Sequence, residues 1–194
     1  ITVSTTDTPV YRLSPGTRPL LLSIPHPGTG SPEEFATQMN PSATIRQDTD
    51  WHLDRLYAFA ATLGASVLEA RVSRYVIDLN RPPGGESLYP GQTTTGLCPT
   101  ETFHGEPLYQ DGAAPDATEQ DRRLQAYWLP YHAALSAELA RLEAAHGSVL
   151  LTGDIEAVSE LQLLGRDPAA LKADVLLVPH HGSRTSSTPA FVAA

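Results

Sequence analysis

The chain has 194 residues, of which 41% are hydrophobic and 18% charged, a composition that is ordinary for one globular domain with its own core. Its formal net charge of −9 argues against a nucleic-acid-binding surface, and its single cysteine, Cys98, excludes an intrachain disulfide. The sequence shows neither an apolar run of the roughly 20 residues that span a membrane nor a recognisable signal peptide. We therefore expect a cytoplasmic protein without a membrane or nucleic-acid partner.

The first part of the chain predicts alternating buried strands and helices. The apolar residues 19–25 (PLLLSIP) predict a short buried strand, which ends in a tight loop that presents His26. A helix is expected from Asp50 onwards, with an apolar stripe and with Gly64 at its C-terminal end. The stripe comprises Trp51, Leu53, Leu56, Tyr57, Ala60 and Leu63. Strands are expected at residues 65–72 and 74–79.

The second part of the chain continues this alternation after a long loop. Residues 84–116 are rich in turn-forming residues and lack periodicity, and a loop of this length inside a domain usually has a function. Residues 118–145 predict the strongest helix, with a kink or a division at Pro130. Strands are expected at 148–152 and 174–178, with a short helix at 156–164 between them. The order predicts a layered α/β fold with a mostly parallel sheet and flanking helices.

His26 is the best candidate metal ligand in the sequence. It follows a buried strand, and an imidazole at a strand end with carboxylates nearby is a common arrangement in hydrolytic zinc sites. The alternative is a loop histidine that caps a helix. Asp48 and Asp50 lie at the start of the next predicted helix, where one of them is expected to face His26 and the other to act as an N-cap.

The segment 73–81 (SRYVIDLNR) carries an unusual number of polar residues for a core strand. It ends at a Pro/Gly loop, so its side chains are expected at the rim of the sheet, where α/β proteins bind ligands. The guanidinium groups of Arg74 and Arg81 suit a substrate with carboxylates. The alternative is an Arg/Asp pair that fixes the loop. Trp128, Tyr131 and His132 are interpreted mainly as packing residues.

Four blocks of the sequence resemble the N-formylglutamate amidohydrolase family, in the family's order and from about residue 19 to 147. They are PLLLSIPHPGTG, DTDWHLDRLYAFAATLGASVLEA, SRYVIDLNRPPGGESLYPGQTTTGLCPTETFHGEPLY and EQDRRLQAYWLPYHAALSAELARLEAAHG. The resemblance implies a fold like that of the zinc exopeptidases. It also implies zinc-dependent hydrolysis of the small molecule N-formyl-L-glutamate to formate and glutamate, a step of histidine degradation.

The same resemblance implies roles for individual residues. Metal ligands would come from His26, Asp48 and Asp50. Glu33 or Glu34 would act as the general base, and the sequence does not choose between them. Arg74, Asn80 and Arg81 would bind the carboxylates of the substrate.

The residues after Gly147 depart from this family, whose next strand ends in Asp-Ala-His-Ser. Here the blocks LLTGDIEAVSE and VLLVPHHGSRTSSTPAF resemble the metallo-β-lactamase-like domain of DNA-internalisation competence proteins. That resemblance implies Asp154 as a metal ligand, with His180 and His181 as further candidates. We interpret the chain as a chimera joined near 148–151, with a lead-in at 1–18, an amidohydrolase-like domain at 19–147 and a grafted fragment at 148–194 that adds strands and a helix.

Two alternatives to a working amidohydrolase follow from the chimera. One is a metallo-β-lactamase-type hydrolase fragment of a DNA-uptake protein, which the acidic charge and the absent upstream histidine cluster disfavour. The other is a catalytically inactive hybrid with two truncated sites. If Asp154 replaces the missing family histidine, zinc should bind less tightly than in an intact family member, because zinc favours nitrogen and sulfur donors.

Overall fold

A five-stranded sheet provides the framework of the computed structural model, which describes residues 9–84, 95–147, 149–151, 161, 165 and 175–177. The strands are β1 (Tyr11–Ser14), β2 (Leu20–Ile24), β3 (Ser66–Ala70), β4 (Val149–Leu151) and β5 (Val175–Leu177). Their order is β1-β3-β2-β5-β4. The apolar runs at 19–25, 65–72, 148–152 and 174–178 are therefore confirmed as strands, and the fold is a mixed α/β fold.

Strand β5 lies in the interior of this sheet. It pairs in parallel with β2, where Leu20 is opposite Leu176, and in parallel with β4, where Leu150 is opposite the same residue. Parallel strands are usually covered on both faces, which explains why these segments are continuous runs of leucine and valine rather than alternating patterns. The expectation of parallel pairing is confirmed for these two pairs.

The longest helical segment is interrupted by a π-helical segment just before Pro130, the residue at which the sequence predicts a kink or a division. Helix α4 (Ala117–Arg123) begins at Asp116, whose side chain accepts a hydrogen bond from the amide of Glu119. A π-helical segment, Leu124–Trp128, then leads into a long helix, Leu129–His146. Pro130 lies in the first turn after the π segment, where it lacks the N–H of a regular helix. Gly147 follows with φ of 114°.

The predicted strand at 74–79 is wrong. Val76 and Ile77 donate backbone hydrogen bonds to the carbonyl of Ser73, so the segment begins as a tight turn. Arg74 and Asp78 form an ion pair of 2.7 Å, whereas residues four apart in a strand are about 13 Å apart. The ion pair therefore requires the turn, and the apolar side chains in the segment are buried without a strand.

The predicted long helix from Asp50 is also wrong in part. Two four-residue helices occupy this region, α2 (Leu53–Leu56) and α3 (Phe59–Thr62). Three of the large apolar side chains here, Leu56, Phe59 and Leu63, are more than half exposed, so little packing supports a continuous helix. Gly64 ends the segment with φ of 71°, in the left-handed conformation expected of it.

The remaining helical elements are short, and some expectations cannot be compared with the structure. Helix α1 (Glu33–Ala36) is one α-helical turn, and Pro41–Ile45 is a 3₁₀ helix. The predicted helix at 156–164 lies outside the described residues apart from position 161, and residues 85–94 of the long loop also lie outside them. No described helix is long and apolar enough to cross a membrane.

The chain divides into two compact units that interleave along the sequence. The first consists of Ile1–Arg12, Pro25–Leu53 and Glu69–Ala133, and the second of Leu13–Ile24, Asp54–Leu68 and Ala134–Ala194. In the second unit Leu21 of β2 packs against Leu142 of the long helix. The first unit has an apolar cluster of its own and contains every residue of the site described below. That cluster comprises Ala43, Tyr75, Leu108 and Tyr109, with Met39 and Ala113 packed against it.

Candidate active site

His26 lies two residues beyond β2, in the loop that the sequence predicted. Its Nε2 atom is 2.7 Å from Oδ1 of Asp78, and its Nδ1 atom is 3.6 Å from Oδ2 of Asp50. The carbonyl of His26 also accepts a hydrogen bond from the Asp50 amide, 3.1 Å away. Both ring nitrogens therefore face carboxylates, and the expectation that one of the two aspartates at 48 and 50 faces His26 is met by Asp50.

The glycine after this histidine is needed because two backbone segments approach closely. A Cβ atom on Gly28 would lie 2.2 Å from the carbonyl oxygen of Val72 and 2.6 Å from the carbonyl carbon of Arg71. The amide of Gly30 donates to the carbonyl of Arg71 at 2.8 Å, which ties the loop to the end of β3. The position of His26 is thus fixed by its own backbone as well as by its side chain.

Asp78 is the centre of the site, and we had not selected it as a site residue from the sequence. It is fully buried, at 0% exposure, and binds His26 and the backbone amide of Asn80 through Oδ1. Its Oδ2 atom accepts a hydrogen bond from Nη2 of Arg74 at 2.7 Å and is 3.8 Å from Nε of Arg81. The sequence does contain a signal for this residue: Asp78 lies in an apolar run, with an arginine four residues before it and another three residues after it. Because a buried aspartate is almost always paired, this pattern indicates a buried ion pair.

Asp78 and His26 stabilise each other's charged forms. Burial by itself would raise the pKa of Asp78, but the hydrogen bond from His26 and the charges of His26 and Arg74 outweigh it and lower that pKa. Burial by itself would lower the pKa of His26, but hydrogen bonds to Asp50 and Asp78 raise it. Asp78 is therefore a carboxylate at neutral pH, and the proton on Nε2 of His26 is held towards it.

Asp48 takes part in the same cluster through the backbone and through Phe103. Its Oδ2 atom accepts a hydrogen bond from the amide of Phe103 at 3.1 Å, and its carbonyl is 3.4 Å from Nη1 of Arg74. The Tyr75 hydroxyl accepts a hydrogen bond from the Asp48 amide at 3.3 Å. Burial raises the pKa of Tyr75 to about 12, so this hydroxyl stays neutral. We call His26, Asp48, Asp50, Arg74 and Asp78 the His26 cluster.

The two candidate arginines have different environments. The guanidinium of Arg74 is committed to Asp78 and to the Asp48 carbonyl, and it lies 4.6 Å from the centre of the Phe103 ring. Arg81 is different, because its Nε atom is buried and makes no hydrogen bond within the described part of the chain. The Arg/Asp pair that is the alternative interpretation is therefore present at Arg74, and Nε of Arg81 lies 3.8 Å from the same carboxylate without a hydrogen bond to it.

The candidate bases Glu33 and Glu34 are exposed on the first turn of the helix Glu33–Ala36. Oε1 of Glu34 is 2.8 Å from Nη2 of Arg122. Glu34 and Arg122 line an open cleft of about 730 Å³, and none of the residues that line it belongs to the His26 cluster. The described geometry thus links Glu34 to Arg122, outside the His26 cluster.

His26 and Asp50 have the spacing of two ligands of one zinc ion. Ligand atoms about 2.1 Å from a tetrahedral zinc lie about 3.4 Å apart, close to the 3.6 Å between Nδ1 of His26 and Oδ2 of Asp50. The contact of Nε2 with Asp78 resembles the carboxylate–histidine pairs that orient zinc ligands. Among the described residues no group of three or more His, Cys, Asp or Glu side chains is arranged to hold a metal. Asp154, His180 and His181 lie outside these residues.

Comparison with known sequences settles the family. The sequence profile described as N-formylglutamate amidohydrolase matches residues 18–159, more than half of the chain. The chain belongs to the N-formylglutamate amidohydrolase family. Over 136 residues it is 50% identical to an N-formylglutamate deformylase from Pseudomonas aeruginosa, a match that covers 70% of this chain and 51% of the relative. This member of the family therefore spans about half the length of that curated relative.

Two further similarities concern the fold and a short segment. The crystal structure of the N-formylglutamate amidohydrolase from Ralstonia eutropha JMP134 aligns with a TM-score of 0.56 and 26% sequence identity, covering 79% of this chain and 60% of that one. A stretch of 50 residues is 46% identical to YcaI, an uncharacterised protein of Escherichia coli K12, and covers 26% of this chain and 7% of YcaI. So short a match does not identify a parent for residues 148–194, and the chimera stays a prediction.

Proposed function

We propose that this chain carries the metal- and substrate-binding residues of a zinc-dependent amidohydrolase. The reaction would be hydrolysis of N-formyl-L-glutamate to formate and glutamate, in histidine degradation. Membership of the family and the name of the Pseudomonas aeruginosa relative support the substrate. The observation that carries the proposal is the placement of His26 between Asp50 and Asp78, at 3.6 Å and 2.7 Å.

The metal would be held by His26 and Asp50, with Asp48 and Asp154 as candidates for the remaining ligand and His180 and His181 as further ones. Zinc, when bound, polarises a carbonyl and lowers the pKa of a water molecule, which is the chemistry that amide hydrolysis needs. Asp78 contributes by accepting a hydrogen bond from the protonated Nε2 atom of His26, which leaves the Nδ1 lone pair directed towards Asp50. Since a metal requires the neutral imidazole, metal affinity should fall with falling pH.

The carboxylates of the substrate would be bound by Arg81, with Asn80 and Arg74 nearby. Arg81 is the strongest candidate because its Nε atom, 3.8 Å from Oδ2 of Asp78, makes no hydrogen bond in the described residues, whereas Nη2 of Arg74 donates a hydrogen bond to Asp78 at 2.7 Å. A planar guanidinium can bind a carboxylate through two parallel hydrogen bonds, which the ammonium of a lysine cannot do. Arg81→Lys should therefore raise KM sharply, and an unchanged KM would exclude this role.

The general base is proposed to be Glu33 or Glu34. Because Glu34 is paired with Arg122, the comparison of Glu33→Gln with Glu34→Gln is informative. The variant that lacks the base should lose turnover while retaining zinc. If neither variant loses turnover, the base must be another residue.

The decisive experiment measures formate release from N-formyl-L-glutamate by the purified chain, with and without added zinc. The test variant is His26→Ala, and the matched control is His146→Ala, which removes an exposed histidine at the end of the long helix. Zinc-dependent turnover that is lost with His26→Ala and kept with His146→Ala would support the proposal. A cooperatively folded chain without turnover would support the inactive hybrid instead.

A further inference from the structure

The side chains of Trp128 and His132 form hydrogen bonds with the backbone carbonyls of Arg81 and Leu79, the two neighbours of Asn80 in the chain. We call residues 79–81 the loop. Nε2 of His132 is 2.9 Å from the carbonyl oxygen of Leu79, and since a carbonyl only accepts, this nitrogen carries the proton. Nε1 of Trp128 donates to the carbonyl oxygen of Arg81, also at 2.9 Å. The two rings stack on each other with centroids 3.8 Å apart and an angle of 24° between their planes. We call Trp128 and His132 the ring clamp.

The geometry of the helix explains why Trp128 and His132 both donate to the loop. A π turn adds one residue per turn relative to an α-helix, so it changes the direction in which all later side chains point. The segment Leu124–Trp128 ends at the first clamp residue, and the second follows four positions later in the regular helix. Residues four apart lie on one face of an α-helix, which permits the stacking. Such π segments occur frequently at functional sites.

The loop held by the clamp is also held from its other side by Asp78. The amide of Asn80 donates to Oδ1 of Asp78 at 2.9 Å, and the amide of Arg81 donates to the Asp78 carbonyl at 3.1 Å. The amides of these two residues therefore point to Asp78, while the carbonyl of Arg81 points to Trp128. This arrangement fixes the backbone from which the Arg81 guanidinium extends.

We propose that Trp128 and His132 are positioning residues, whose N–H groups aim the Arg81 guanidinium at a carboxylate of the substrate. The inference rests on the proposed function for its substrate, but the holding of the loop is a property of the chain itself. The ring N–H groups carry the effect, and the size of the rings does not. The sequence suggested packing for both residues, and the contacts with the loop assign them this additional role.

The test uses variants that retain a ring and remove the donor. Trp128→Phe and His132→Phe each delete one hydrogen bond to the loop, His132→Gln restores a donor near the position of Nε2, and Trp51→Phe is the control at an exposed tryptophan. Amide hydrogen exchange of Asn80 and Arg81 should become about fivefold faster in the two donor-deleting variants. With substrate, KM should rise about fivefold while kcat stays within about twofold. His132→Gln and Trp51→Phe should remain close to the wild type in both measurements.

The two measurements separate this inference from the proposed function. Unchanged exchange at Asn80 and Arg81 in both donor-deleting variants would overturn the clamp, whatever the activity. Faster exchange without any turnover in the wild type would support the clamp and count against the proposed function. Faster exchange together with an unchanged KM, in a protein where Arg81→Lys raises KM, would overturn the link between the clamp and substrate binding.

Discussion

Replacing Asp78 by asparagine should destabilise the protein strongly, although the two side chains have nearly the same shape. The carboxylate is fully buried and accepts from His26, Arg74 and the Asn80 amide at 2.7–2.9 Å. An asparagine presents one oxygen and one NH₂ group. If the NH₂ group faces Arg74 it meets another donor, and if it faces His26 it also meets the donor of the Asn80 amide.

The size of the effect follows from the buried charge that remains. Removing one partner of a buried ion pair typically costs about 3–5 kcal/mol, because the other charge stays buried without compensation. For a chain of 150–250 residues each kcal/mol lowers Tm by about 2–4 °C, so Tm should fall by about 6–20 °C. The lowered pKa of Asp78 means that the carboxylate stabilises the folded state above its unfolded pKa. The difference between the proteins should therefore be full at neutral pH and shrink as pH falls through the folded pKa.

Urea unfolding at pH 7, followed by circular dichroism, measures this effect directly. Asp111→Asn, at an exposed aspartate, is the matched control and should lie within about 0.5 kcal/mol of the wild type. If Asp78→Asn unfolds cooperatively within about 1 kcal/mol of the wild type, the buried pair does not stabilise the fold as we have reasoned.

Three further predictions concern other parts of the structure. Gly28→Ala should cost about 1–3 kcal/mol, since its Cβ would lie 2.2 Å from the Val72 oxygen. Gly96→Ala, where the Cβ meets no atom of the described residues within 4 Å, should be nearly neutral in the same urea experiment. Hydrogen bonds from Arg141 and Ser66 lower the pKa of Glu138 despite its burial, so its contribution to stability is present above its unfolded pKa and lost as pH falls through the folded value. Glu138→Gln should therefore make the free energy of unfolding fall less steeply below about pH 4.5 than it does in the wild type. An equally steep fall in both proteins would contradict this. Zinc affinity, measured by competition with a chelating dye, should be weaker than nanomolar, because zinc favours nitrogen and sulfur donors and the leading candidate ligands, His26, Asp50, Asp48 and Asp154, include one imidazole.

The strands could be predicted because their signal is local. The run at residues 20–24, for example, is apolar and bounded by prolines, and these features of the run itself indicate a buried strand. Gly64 was likewise predictable, because a left-handed residue at a helix end is most easily a glycine. A single run does not show which strand it pairs with. The pairing of β2 with β5, which are separated by most of the chain, therefore could not be predicted from the apolar pattern.

The turn at residues 73–81 could not be predicted from propensity. Tyr75, Val76 and Ile77 favour strands, but the ion pair between Arg74 and Asp78 requires them to follow a turn. Tertiary electrostatics here outweighed the local preference. The same limit applies to Trp128 and His132, whose acceptors are carbonyls 47 and 53 residues away, since a backbone carbonyl has no signature in the sequence.

The position of β5 has a consequence for how the protein forms during synthesis. β2 leaves the ribosome about 155 residues before β5, with which Leu20 and Leu21 pair. At about 5–20 residues per second, this interval lasts about 8–30 s. Until β5 arrives, one edge of β2 exposes unpaired backbone groups beside three consecutive leucines, a surface that promotes association with other chains. The nascent chain is therefore most vulnerable in the period before β5 is made, and it should then depend most on chaperones.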